Sequence, residues 1–359
     1  MSTRRSFIAG AAATATFAAP VARAAALTNG FDARLLKAVN DAFLASPVNF
    51  HGLLVEHHGQ IAVETYRKGK DQPIGDLTPK VTDFGPDTLH DLRGISKSVV
   101  ALLWGMAQAD GKVPDLNARV LDLYPKLAKF KRDGREGIAF RHLLNMSMGL
   151  KWTEEGPKGD AFGLTWHPDP ISFVFDRPMV STPGNLFTDC SGCTAILADL
   201  LQDRTGMSLI DYARAKLFGP LGIDTFEWRK DLLGRTLAFS GLRLKPRDLV
   251  HIGRMVMWGG QWQGLALIPS DMIAASTQPL INTHVDQIAP QYGYGWWSGP
   301  GQALGHPMRW QAAVGEGGNR LFMAPQLDLI VVTTAGDYET AVDEAPQRLF
   351  ESIVGATRA

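Results

Sequence analysis

The sequence predicts an α+β fold, with an antiparallel sheet formed from the N- and C-terminal segments, flanked by helices, and a mainly helical lobe. Three observations predict it. Residues 53–57, a His58-Gly59 turn and residues 60–66 read as a β-hairpin near the start. Residues 320–323 and 327–334 read as two strands around Ala324-Pro325-Gln326, and Leu329-Ile330-Val331-Val332 is the apolar, β-branched run that fills a buried strand. Between these ends the apolar residues recur at helical spacing.

The middle elements follow in order. Ile95, Val99, Leu102, Leu103 and Met106 fall at i, i+4, i+7, i+8 and i+11, the single apolar face of an amphipathic helix. Residues 141–146 read as a helix stopped by Ser147-Met148-Gly149. Residues 194–201 and 209–218 read as two more, the latter ended by Gly219-Pro220-Leu221-Gly222. Pro246-Arg247-Asp248-Leu249 opens another, with proline in the first turn, where its missing N–H is no loss.

Thr3-Arg4-Arg5-Ser6-Phe7-Ile8 is a twin-arginine start, followed by an alanine-rich stretch over 9–21 and small residues at Ala22-Arg23-Ala24. This predicts a signal peptide over 1–24 and a periplasmic or secreted protein. No later stretch has the ~18 unbroken apolar residues of a membrane helix, so no membrane insertion is expected after signal removal. Residues 25–359 hold no Pro/Gly/Ser linker, charge run or repeat and read as one domain with two lobes. Lys+Arg and Asp+Glu both number 36, which argues against nucleic acid or an acidic membrane surface as partner. An apolar content of 45% is enough for a sizeable core.

The two cysteines, Cys190 and Cys193, read as small buried thiols at a helix start; a lone pair cannot close a four-ligand zinc site. No His-Glu-x-x-His or phosphate loop appears, and no cofactor is expected. His142 reads as a satisfied core histidine. Trp152, Trp166, Trp296, Trp297 and Trp310 are candidates for a cleft lining, with core packing the commoner fate of tryptophan.

The segment Asp91-Leu92-Arg93-Gly94-Ile95-Ser96-Lys97-Ser98-Val99 carries the chemistry. Hydrolases of the Ser-x-x-Lys type place a serine one helical turn before a lysine, so that hydroxyl and amine share one face and one proton. Here the lysine is present as Lys97, and the serine position is Gly94. Several further phrases stand in order: Arg141-His142-Leu143-Leu144-Asn145-Met146-Ser147-Met148-Gly149-Leu150, Pro183-Gly184 before Ser191-Gly192, Phe218-Gly219-Pro220-Leu221-Gly222-Ile223, Gly241-Leu242 with Pro246-Arg247-Asp248-Leu249, and Gly315-Glu316-Gly317-Gly318-Asn319.

From about Leu53 to its end, the chain resembles the serine β-lactamase and penicillin-binding-protein-like hydrolases, in particular the class C and esterase-like branch near the nylon-oligomer hydrolases. The resemblance implies a β-lactamase/transpeptidase-like fold and a cleft in which serine attacks a carbonyl. It also implies that a lysine and the tyrosine of a Tyr-x-Asn or Tyr-x-Ser element move the proton, and that a third strand holds the acyl group and oxyanion. Carried over, the first element is Gly94 with Lys97. The second is Asp189-Cys190-Ser191, with Ser191 matching and Asp189 at the tyrosine position. The third is Gly315-Glu316-Gly317 before Gly318, a glycine-rich version that would bind substrate.

Glycine has no Oγ, so no acyl-enzyme forms at residue 94, and losing such a nucleophile removes on the order of 10⁶ in rate in a comparable hydrolase. A carboxylate at 189 favours a charged Lys97, which is no base. The expectation is a catalytically impaired homologue that binds a small-molecule ester, amide or peptide-like ligand. The alternative is an active hydrolase using another group: Ser96 or Ser98, which project around the helix away from Lys97, Cys190, or a water activated by Asp189. Glu316 reads as a solvated turn carboxylate, with a cleft-facing side chain as the second reading.

Overall fold

The two chain ends meet in one sheet. The computed structural model describes residues 27–358 except 29, 155, 157, 285–288, 339–341 and 343, so the expected leader at 1–24 lies outside the described residues. Strands β1 (Phe50–His57) and β2 (Gln60–Tyr66) form the N-terminal hairpin. Six strands follow toward the C-terminus: β3 (Ile281–Asn282), β4 (Gln291–Tyr292), β5 (Trp297–Ala303), β6 (His306–Gly315), β7 (Asn319–Ala324) and β8 (Leu329–Ala335). The order across the sheet is β3-β4-β5-β6-β7-β8-β1-β2. All neighbours are antiparallel. The last strand thus pairs with the first, with Val331 opposite Val55 and Thr333 opposite Leu53.

The longer helices are α1 (Ala33–Ala45), α2 (Ile95–Ala109), α3 (Ser191–Thr205), α4 (Pro246–Met257) and α5 (Glu344–Ala356). Strand alternation sorts the sheet side chains between two layers. Leu53, Val55, Phe322 and Val331 pack among residues of α1 and α5. Leu54, Leu321, Ile330 and Val332 belong to the larger apolar cluster that holds α2, α3 and α4. Gly253 lets α4 press onto the sheet: a Cβ there would meet Leu321 at 2.9 Å and Ile330 at 3.3 Å.

Helix α2 is buried on every side from Ile95 to Ala107, not on one face as its amphipathic spacing suggests. A helix enclosed all round lies in the interior, which is how Lys97 comes to be buried. Other boundaries shift for local reasons. The predicted helix over 141–146 is Phe140–Leu144, because Met146 adopts a positive φ of 57°. The helix predicted over 209–218 is α-helical only over Leu209–Ala213 and widens to a π turn over Arg214–Phe218. The final strand starts at Leu329, since Pro325–Leu327 forms a 3₁₀ turn and Asp328 is left-handed at φ 48°.

Candidate active site

Residue 94 caps α2. Its backbone is ordinary right-handed helix, φ −57° and ψ −18°, so conformation does not demand glycine there. Space does: a Cβ at this position would lie 2.8 Å from the Val314 carbonyl oxygen on β6. The strand presses equally hard one residue on, where a Cβ at Gly315 would meet the Leu92 carbonyl at 2.1 Å. Strand and helix entrance therefore touch through backbone, and both glycines permit that approach.

One turn into α2, Lys97 is 7% exposed and its ammonium is held by two carboxylates. Nζ donates to Asp189 Oδ1 at 2.6 Å and to Glu154 Oε1 at 3.1 Å. Burial alone would favour the neutral amine, but Asp189, then Glu154 and Glu316, outweigh it and hold the Lys97 pKa well above the ordinary lysine value. Glu154 also accepts from Ser191, from the backbone N–H and from Oγ, the latter at 2.7 Å. Burial pushes the Glu154 carboxyl up, against the pull of Lys97 and with Asp189 adding to the rise.

The predicted residues thus divide by position. Lys97, Asp189 and Ser191 come together around Glu154. Glu316 is exposed, yet it is not simply a solvated turn carboxylate: its Oε2 accepts the Gly94 N–H at 3.1 Å. Gly315 backs onto Leu92, whereas Cβ atoms at Gly317 and Gly318 would meet Tyr338 and Ala335. Both take positive φ, 79° and 100°, and shape the turn between β6 and β7. Glu154 is the residue that sequence reading missed. It lies in an irregular stretch after Trp152-Thr153 with no periodicity, and 57 positions separate it from Lys97.

The alternative nucleophiles face elsewhere. Ser96 Oγ donates to the Arg93 carbonyl at 2.7 Å, and Ser98 Oγ to the Gly295 carbonyl at 2.6 Å. Cys190 and Cys193 are free and buried at the start of α3. Burial, and then the neighbouring Cys193, pushes the Cys190 thiol well above its usual value, the reverse of an activated thiolate. Of the tryptophans, Trp152 and Trp296 are buried, Trp310 packs with Phe322 and Phe350 beneath the sheet, and Trp166 is exposed on Asp160–Trp166. Trp297 is half-buried beside Phe187, two residues before Asp189 in the chain, and Tyr292, which is in electrostatic reach of Asp189.

A family model for Beta-lactamase matches residues 51–352. The 6-aminohexanoate-dimer hydrolase of Paenarthrobacter ureafaciens is 24% identical over 341 residues, covering 89% of this chain and 79% of that protein. Among solved structures, a penicillin-binding protein homolog from Caulobacter crescentus superposes with a TM-score of 0.68 at 17% identity, over 90% of this chain and 97% of the other. A family VIII carboxylesterase gives 0.68 at 16%, over 90% and 96%. At these identities the structural likeness establishes the fold.

Proposed function

Because the chain belongs to the beta-lactamase family, and the proteins it is similar to include a 6-aminohexanoate-dimer hydrolase and a carboxylesterase, we propose that it is a member with its acyl-transfer step disabled, which binds a small ester, amide or peptide-like ligand without covalent chemistry. The observation that carries this reading is the pairing of an absent Oγ at Gly94 with a Lys97 ammonium locked between Asp189 and Glu154. A serine-type reaction needs a nucleophile and a base within hydrogen-bond reach of it. Here residue 94 offers neither hydroxyl nor room, and Lys97 offers a proton rather than a lone pair. Glu316 further satisfies the Gly94 N–H, a donor of the kind that would otherwise stabilise an oxyanion.

Export is part of the proposal: the leader over 1–24 would deliver residues 25–359 to the periplasm as one domain. N-terminal sequencing of the periplasmic form, expected to begin near Ala25, checks this, and retention in the cytoplasm with an intact Arg4-Arg5 would contradict it. The catalytic half of the proposal is tested on purified protein with a fluorophosphonate and a penicillin-type probe, read by intact mass. No adduct is expected. A stoichiometric adduct on any hydroxyl or thiol would replace this reading with that of a working hydrolase.

A further inference from the structure

Helix α2 borders a second space. Lys97 meets the cleft near the start of the helix, and Trp104 lies seven residues on, about 10 Å along the axis. There α2 forms one wall of a cavity of about 210 Å³. Trp104, Gly105 and Gln108 line it together with Leu116, Leu144 and Met272, whereas none of Lys97, Glu154, Asp189, Ser191 and Glu316 does.

Three features of this wall have no structural reason within the protein. Trp104 is 1% exposed, yet its indole Nε1–H has no hydrogen-bond partner. Gln108 is half-buried, and its buried Oε1 also has none. The two residues stand at i and i+4, so an orphan donor and an orphan acceptor share one helix face, a turn apart. Buried polar groups are normally matched, and leaving them unmatched is destabilising. Two other polar side chains of the lining are already engaged: Ser276 Oγ donates to the Met272 carbonyl at 2.8 Å, and Asp271 Oδ1 accepts the Met272 N–H at 2.9 Å. Gly105 is the third feature. It sits in mid-helix, where glycine is less favourable than alanine. A Cβ there would meet Ile268 and Met272, each at 3.6 Å, an ordinary contact. Neither backbone nor crowding demands glycine at 105; what its missing side chain supplies is room in the cavity.

We propose that this cavity is a second binding site, for a neutral aromatic carboxamide. The ligand carbonyl accepts from Trp104 Nε1–H, its N–H donates to Gln108 Oε1, and its ring lies against Leu116, Leu144 and Met272. An amide carries one acceptor and one donor on neighbouring atoms, the complement of this orphan pair. An apolar cavity of about 150 Å³ holds benzene, so the volume here suits a single ring with a short substituent. Stacking on Phe140 at 4.9 Å fixes the plane of the Trp104 donor. Bulk water reaches neither orphan atom as the side chains stand, so the partner enters from the cavity with a turn of the Gln108 side chain. Exposed Asp271 in the lining disfavours a carboxylate ligand. The site is independent of the reading of the cleft.

Benzamide tests it against its isostere acetophenone, which keeps the carbonyl and lacks the N–H. Both are titrated into the purified protein, read by calorimetry and by the indole N–H signal of Trp104 in NMR. Benzamide is expected to shift that signal and to bind about three- to tenfold more tightly than acetophenone. Gln108→Leu is expected to abolish the preference, weakening benzamide about three- to tenfold and leaving acetophenone within about twofold. Gly105→Ala, which fits at ordinary contact distance, is expected to raise Tm and to weaken both ligands. Trp104→Phe assigns the signal and is expected to weaken both as well. Benzamide that gives no saturable heat and no Trp104 shift at about 10 mM overturns the site. So does benzamide binding that Gln108→Leu leaves unchanged, which would place the ligand elsewhere, the cleft included. A fluorophosphonate adduct alongside Gln108-dependent benzamide binding would sink the reading of the cleft and leave this site standing.

Discussion

A serine at position 94 would need both a hydroxyl and a place for its Cβ, and the second requirement is as restrictive as the first. The Val314 carbonyl, 2.8 Å from that Cβ position, is backbone of a central strand and yields only if β6 moves. Overpacking of this kind costs about 1–3 kcal/mol. Gly94→Ser is therefore expected to lower stability to urea by about 1–2 kcal/mol and to give no ester turnover alone. If the Gly94→Ser, Asp189→Tyr double variant also fails to hydrolyse p-nitrophenyl acetate, the cleft has closed beyond simple reversion. Lys97→Ala is expected to cost about 2–4 kcal/mol, because it leaves Asp189 and Glu154 facing each other; breaking a buried pair costs about 3–5, and the partial exposure of Asp189 lowers that. An unchanged unfolding midpoint would show that the lysine is not held as described. Gly94 and Asp189 were readable as candidates in the sequence, since each stands inside a recognisable phrase. Glu154 was not, because nothing local marks a loop carboxylate as the partner of a distant helix.

Arg254 shows how an element is fixed in place. It is 4% exposed on α4 and bridges Glu56 of β1, 3% exposed, to Asp328 in the turn before β8. One guanidinium thus ties a helix of the middle to strands from both chain ends. Arg254→Met is expected to lower unfolding free energy by about 3–5 kcal/mol by stranding the Glu56 carboxylate, and adding Glu56→Gln should return part of that loss. Equal losses in the single and double variants, measured by urea unfolding, would refute the role. Legibility at this scale followed local propensity. The β1–β2 hairpin and α4 carry clear turn and cap signals. Strand β5 carries none: Gly299-Pro300-Gly301 is poor strand sequence, extended because residues 297–303 pair with β6 from Trp297↔Ala312 to Ala303↔His306.

The whole molecule carries an acid-sensitive reserve in three buried histidines. His51 stacks on Phe84 at 3.8 Å and contacts the Lys70 carbonyl through Nε2 at 2.9 Å, and burial drives its pKa down to about 3. His90 is 1% exposed with neither ring nitrogen partnered, and burial holds it well below the ordinary value. His142, whose Nδ1 accepts the Ala139 N–H, falls to about 4, again chiefly by burial. Each folded pKa lies below its unfolded value of 6.5. Their contribution is therefore complete above pH 6.5 and is lost as pH falls below it, toward about 3 for His51 and about 4 for His142. Within its own window each of His51 and His142 costs at most about 1.4 kcal/mol per pH unit. Thermal melts from pH 7.5 to 4.5 should show a level Tm down to about pH 6.5 and a fall below it, and His90→Phe should flatten the decline. A Tm independent of pH over this range would contradict the burial of these rings.

The sequence by itself determined the fold class and the family phrases, and it places Gly94 and Asp189 inside those phrases, because each is written in contiguous residues whose spacing has one structural reading. Only the tertiary structure decided that Lys97 is an ammonium clasped by Asp189 and Glu154, that Glu316 covers the Gly94 N–H, and that Val314 leaves no room for a side chain. The physical reason is range. Hydrogen bonds and steric limits act over a few ångströms of space, while the groups that meet here are separated by 57, 92 and 222 positions of chain.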